Sequence, residues 1–253
     1  MRRFAGVNKE ANHPTFNMLD QSVVAQAIQK NAKKLLILNL NDQPYEKKEG
    51  EDPGSLAHAK GLLIFLGGKN GIKDGQGFYL QHSCPQCEFG HGFPGNAEKL
   101  AQHFFCVTIN NEGLYALAEY FYVSHPHFTK RIIPELFKKA NKYLNAIDNG
   151  EFVDKPVHEQ VEFKSYGGKD VTIFTKSIKA NRDQLWQDIQ MPGVKFFVIS
   201  HYGGEKWRPE SNEDFVVVDY IKAARGGWEI GNEHGKYALS DGDRLCFGDV
   251  NYM

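Results

Sequence analysis

The chain has 253 residues and 28.7 kDa, 41% of them hydrophobic and 24% charged, which suits a globular protein whose core needs no metal or disulfide staple. Thirty Lys and Arg against 31 Asp and Glu leave a formal charge of −1 with His neutral, which excludes a constitutively basic nucleic-acid coat. The longest apolar run, Leu62 to Leu66, is too short to span a bilayer, no apolar segment follows Met1-Arg2-Arg3 as a signal peptide requires, and four Cys make no disulfide scaffold.

In chain order, Asn17 is placed to cap a helix carrying Leu19, Val23, Val24, Ala27 and Ile28 at helical spacing. Leu35 to Leu40 reads as a buried strand ended by the turn formers Asn41-Asp42-Gln43-Pro44, and a charged loop runs from Glu46 to Asp52. Strands are expected over Gly61 to Leu66 and Gly77 to His82, with the Gly-rich link between them as a long hairpin turn. That link has neither dinucleotide nor phosphate-loop spacing. Phe104 to Ile109 is a further strand, and helices are expected over about Glu112 to Val123 and Pro134 to Ile147. Asp148-Asn149-Gly150 is the natural internal boundary, dividing the chain into halves over residues 1–150 and 151–253. Beyond it, Val171 to Thr175, Val194 to Ser200 and Phe215 to Tyr220 are strand-like, with a helix near Arg182 to Gln190. Strands interleaved with helices predict α/β layers, two halves of one packed unit.

Ten histidines are the unusual count. If all take a proton by pH 5, the net charge moves from −1 toward roughly +9 and the chain attracts polyanions in acid. Two of them open the tripeptides His58-Ala59-Lys60 and His234-Gly235-Lys236. Chance alone supplies about one His-x-Lys in this composition. The chemistry is more informative than the count, because residues two apart in a strand share a face. Two such pairs meeting would form a box of two imidazoles and two ammonium groups. Lysines neutralise the non-bridging oxygens of a phosphodiester, one imidazole attacks phosphorus and the other protonates the leaving oxygen.

The surrounding segments resemble the deoxyribonuclease II family. Leu38-Asn39-Leu40-Asn41-Asp42-Gln43-Pro44 followed by His58-Ala59-Lys60-Gly61-Leu62-Leu63 is similar to its first active-site region. Gly77-Phe78-Tyr79-Leu80-Gln81-His82-Ser83-Cys84-Pro85 and Gln102 to Ile109 continue the likeness. Glu233-His234-Gly235-Lys236-Tyr237 and Cys246 to Asn251 resemble the second region. The resemblance implies a phospholipase-D-like fold of two similar α/β halves with mixed sheets flanked by helices, each half giving one His-x-Lys. It implies an acid endonuclease acting on DNA without metal or other cofactor, leaving a 3′-phosphate and a 5′-hydroxyl through a phosphohistidine. By position, His58, Lys60, His234 and Lys236 would be catalytic, and His82, Ser83, Asp249 and Asn251 would bind or position substrate. A lysosomal or secreted location is implied too, although the chain shows no signal peptide, and the partners expected for Cys106 and Cys246 belong to terminal segments it lacks. The rivals are an inactive paralogue that binds nucleic acid and a phosphodiesterase acting on another substrate. No membrane and no obligatory protein partner is expected, and the oligomeric state stays open.

Other patterns read more simply. Cys84-x-x-Cys87 with His91 nearby is half of a zinc spacing without a second Cys pair, and it lacks a thioredoxin context. His125-Pro126-His127 reads as an exposed turn, the aromatic run Tyr115, Tyr120, Phe121 and Tyr122 as core, and Lys138-Lys139 as a solvated helix face.

Overall fold

All seven residues of β1 (Leu35–Asn41) are buried, and the run Leu35-Leu36-Ile37-Leu38 is apolar with no alternation because both faces of the strand are covered. The computed structural model describes residues 30–47, 49–87, 102–180, 189, 191, 193–199, 212–218, 220–223, 226–229 and 235–248. Strand β1 lies between β2 (Lys60–Gly68) and β5 (Phe128–Ile132). With β3 (Gly71–His82) and β4 (Phe104–Ile109) these form a sheet of order β4-β3-β2-β1-β5 in which every neighbouring pair is antiparallel.

One face of this sheet presents Leu36, Leu38, Leu40, Leu63, Phe65 and Tyr79 to three helices. These are α1 (Asn111–Ser124), α2 (Glu135–Ala140) and α3 (Lys142–Asn149), which answer with Leu114, Leu117, Phe121, Phe137, Leu144 and Ile147. The other face carries Leu35, Ile37 and Leu62 with Ile64, Phe78, Leu80 and Ile132. A hairpin of β6 (His158–Lys164) and β7 (Asp170–Lys176) adds Phe163, Val161, Val171 and Ile173 to the helix-side core.

The second sheet is mixed. Strands β8 (Phe196–Ile199) and β9 (Phe215–Val217) pair in parallel, while β12 (Lys236–Ser240) pairs antiparallel with β8 and with β13 (Leu245–Gly248). Its core is Phe196, Val198, Phe215, Val217 and Ala238 with Ile189. A separate ribbon joins β10 (Tyr220–Ala223) to β11 (Gly226–Glu229). Helices layered on sheets make the chain α/β, as expected. Among the described residues no helix is long and apolar enough to cross a membrane.

Several expectations change. The Gly-rich link is strand, not turn: β2 and β3 run on to meet at a tight Lys69-Asn70 turn. Gly77 is there because a Cβ would lie 2.2 Å from the Ile64 carbonyl oxygen, so its smallness serves strand packing rather than a bend. The helix over Pro134 to Ile147 is two helices. Asn141 turns extended (φ −141°) and its side chain accepts from the Tyr143 and Leu144 amides, starting α3 afresh. Strand-like Phe215 to Tyr220 is split between β9 and the first residue of β10, and β5, β6, β11, β12 and β13 were not anticipated as strands. His125-Pro126-His127 is not an exposed turn. Pro126 is buried, His125 caps α1 in the left-handed conformation with its ring stacked 3.8 Å from Phe152, and His127 lies 3.9 Å from Glu51. The expected helices from Asn17 and near Arg182 lie outside the described residues, except for Ile189.

Candidate active site

The first His-x-Lys sits where the polar end of β1 meets the start of β2. The register sets Asn41 opposite Lys60, Gly61 opposite Gln81 and His82 opposite Phe104. Because side chains alternate, Asn41, Lys60, His82 and Phe104 form one row across four strands, at the polar end of an otherwise apolar face. Gly61 lets these strands close up, since a Cβ there would lie 2.8 Å from the Tyr79 ring and 2.9 Å from the Leu80 oxygen.

Lys60 is 1% exposed, and a buried ammonium needs a counter-charge. Asp42 supplies it: Lys60 Nζ donates to Asp42 Oδ1 at 2.6 Å. The second oxygen of Asp42 lies 3.5 Å from His58 Nε2, so one carboxylate serves both members of the motif. His58 keeps 24% of its side chain exposed, unlike its two partners. Its loop hangs from the segment after α1, where the Ala57 amide donates to the His125 oxygen at 3.2 Å and Ala57 forms a parallel bridge with Pro126.

His82 is buried and stacked on Phe104, with ring centroids 5.5 Å apart. Burial first, then the Lys60 ammonium and His103, hold its pKa down to about 3, against a small opposing contact from the Cys84 backbone. His103, just before β4, is also buried, with Nε2 3.0 Å from Gln81 Oε1. As an amide oxygen can only accept, the ring N–H donates. Burial and then Lys236 bring its pKa to about 3 as well. Lys236 is 2% exposed and opens β12. The next strands close on the same histidine: its ring lies 6.3 Å from Tyr237 and 5.4 Å from Phe247, and Phe247 stacks on Phe105 at 4.4 Å. Lys60, His82, His103 and Lys236 are all buried, and the rings of His103 and Phe105 against Tyr237 and Phe247 join the first sheet to the second.

Ser83 is committed within the fold. Its hydroxyl donates to Gln102 Oε1 at 2.6 Å and accepts from the His103 amide at 3.0 Å. His234, Asp249 and Asn251 lie outside the described residues. Of the residues marked in the sequence, the structure brings His58 and Lys60 together through Asp42, and sets His82 and Lys236 beside them through His103. Asp42, Gln81 and His103 were missed. Asp42 stood in a turn-forming string, and its signal was its place immediately after a strand buried on both faces. His103 had no local signal, because its meaning comes from strand pairing. The acid charging also needs correction: His82 and His103 stay neutral at pH 5, so acidification adds less positive charge than ten histidines imply.

The family profile described as Deoxyribonuclease II matches residues 6–253. A relative, cell-death-related nuclease 7 of Caenorhabditis elegans, is 24% identical over 219 residues, covering 77% of this chain and 54% of its own length. The chain therefore spans about half the length of that curated relative. With nearly its whole length matched, the chain belongs to the deoxyribonuclease II family.

Proposed function

We propose that the chain is an endonuclease that hydrolyses DNA phosphodiesters at acid pH without a metal, on a phospholipase-D-like plan in which residues 1–150 and 151–253 each contribute one His-x-Lys. The observation that supports this reading is the packing of the buried His103 ring, beside the row that holds Lys60 and His82, against Tyr237 and Phe247 of the strands that carry Lys236. Family membership supports the same chemistry.

In this mechanism one imidazole, of His58 or His234, attacks phosphorus through a nitrogen lone pair. The phosphorus bond to the 5′ oxygen breaks, and the other imidazole, protonated, gives its proton to that oxygen. Water then cleaves the phosphohistidine, leaving a 3′-phosphate and a 5′-hydroxyl. Lys60 and Lys236 stabilise the charge on the non-bridging oxygens. Asp42 orients His58 and holds Lys60 in place, as a carboxylate behind a catalytic imidazole does elsewhere. Neutral His82 and His103 add no positive charge beside Lys60 and Lys236. His82, Ser83, Asp249 and Asn251 complete the proposed substrate-positioning set, and a lysosomal or secreted location would suit the acid chemistry.

The test is nicking of supercoiled plasmid by the full chain at pH 5 in EDTA, with end analysis. Nicked circles whose 5′ ends accept phosphate from a kinase without prior dephosphorylation are the expected product. Cutting that stops on chelation and returns with Mg²⁺, or binding without cutting by the folded chain, overturns the proposal.

A further inference from the structure

Cys84 and Cys87 are buried to 0% and 6% exposure and form an apolar cluster of their own. They flank a turn at Pro85-Gln86, with proline in the second position and Gln86 at φ +59° in the third, the pattern of a type II turn. Such a turn brings its first and last Cα atoms within about 7 Å, and disulfides span about 4.4–6.8 Å between Cα atoms. The Cys84 thiol donates to the Pro85 oxygen at 3.6 Å, and the neighbouring Cys87 thiol together with burial raises it far above the usual range.

This turn is the seat of the Asp42 loop. The Gln86 amide donates to the Gln43 oxygen at 3.0 Å, Asn41 Nδ2 donates to the Cys87 oxygen at 3.4 Å, and the Gln43 amide donates back to Asn41 Oδ1 at 2.9 Å. Asp42 lies between those two anchors. A left-handed glutamine in the turn is a strained choice, and it is held by the same contacts.

We infer that Cys84 and Cys87 are partners in one intrachain disulfide that closes while the chain folds and clips the turn beneath the Asp42 loop. The oxidant is a small-molecule disulfide of the glutathione class. One protein thiolate attacks it and expels a small thiolate, and the second protein thiolate then displaces the other from the mixed disulfide. Two protein thiols are oxidised, one small disulfide is reduced to two thiols, and the two protons the protein thiols give up end on the two small thiols. Burial then works in both directions. A thiol this protonated and this enclosed exchanges poorly, so the folded chain keeps whichever state it had when it folded.

The test uses the full chain, refolded once in a glutathione redox buffer and once under excess reductant. Each sample is alkylated in denaturant and digested with trypsin. The peptide from Asp74 to Lys99 holds Cys84 and Cys87 and no other cysteine. After oxidative refolding it should be two hydrogens lighter and take no label, and after reduction it should take two. The native oxidised protein should keep the bond in reduced glutathione and lose it only when denaturant is added. Closing so short a loop should shift the unfolding equilibrium by about twentyfold toward the folded state. Two labels without reduction, a bond from either cysteine to Cys106 or Cys246, or equally fast reduction of native and denatured protein would each overturn the inference. The measurement does not depend on nuclease activity, so failure here is distinguishable from failure of the proposed reaction.

Discussion

Replacing Asp42 with asparagine leaves the Lys60 ammonium buried without its counter-charge. Lys60 is 1% exposed and its carboxylate partner is 2.6 Å away, so water cannot take over without opening the start of β2. Removing one partner of such a pair costs about 3–5 kcal/mol. Asparagine still offers one acceptor oxygen, so about 3 kcal/mol is expected, a large share of a typical total of about 5–15 kcal/mol. In urea, with a slope of about 2–3 kcal/mol/M, the midpoint read by far-UV circular dichroism should fall by about 1 M. Lys60→Met combined with Asp42→Asn should recover most of the loss, because no charge then remains to be stranded, and the coupling in the double-mutant cycle should exceed about 1.5 kcal/mol. A midpoint for Asp42→Asn within about 0.2 M of the wild type would refute the reasoning, as would two independent, additive losses.

Three further outcomes are expected. His82 and His103 bind protons only near pH 3 when folded but near 6.5 when unfolded, so their share of stability is complete above pH 6.5 and is lost as pH falls toward 3. Each should cost about 2 kcal/mol between pH 7 and 5, and His103→Gln should flatten the urea midpoint against pH by about one histidine's worth, whereas an unchanged slope would contradict the assigned environment. His58→Asn and His234→Asn should each abolish nearly all plasmid nicking, with the double variant little worse, while full activity of a folded His234→Asn protein would end the two-motif reading. Asn141→Ala, which removes the acceptor of two α3 amides, should destabilise the chain by about 1 kcal/mol in the same urea assay, and a loss below about 0.3 kcal/mol would show the cap to be dispensable.

What the sequence disclosed depended on whether a signal was local. The apolar run of β1, the Asn-Gly stop after α3 and the strand ahead of α1 are written in neighbouring residues, and the structure has them. The break at Asn141 was legible in principle, since asparagine caps helices well, but the apolar stripe runs across it and a single helix fitted the spacing as well. Glycine misled at Gly77, where it marks crowding rather than a bend. At the site, His58 and Lys60 were found from the tripeptide, but the shared strand face expected of them is not what joins them: His58 lies in the loop before β2, and Asp42 holds the two together. Asp42 and His103 were not found, because the first acts through an ion pair across strands and the second through a contact between sheets. Such partners exist only once the register is fixed.

The parallel bridge between Ala57 and Pro126 has a consequence in time. During synthesis the His58 loop leaves the ribosome long before the residues that seat it, because its anchor follows β2, β3, β4 and the whole of α1. The first motif is therefore assembled by a long-range closure and not by its own hairpin. A chain released early, or cut before Pro126, has the His-x-Lys letters but no seat for the imidazole.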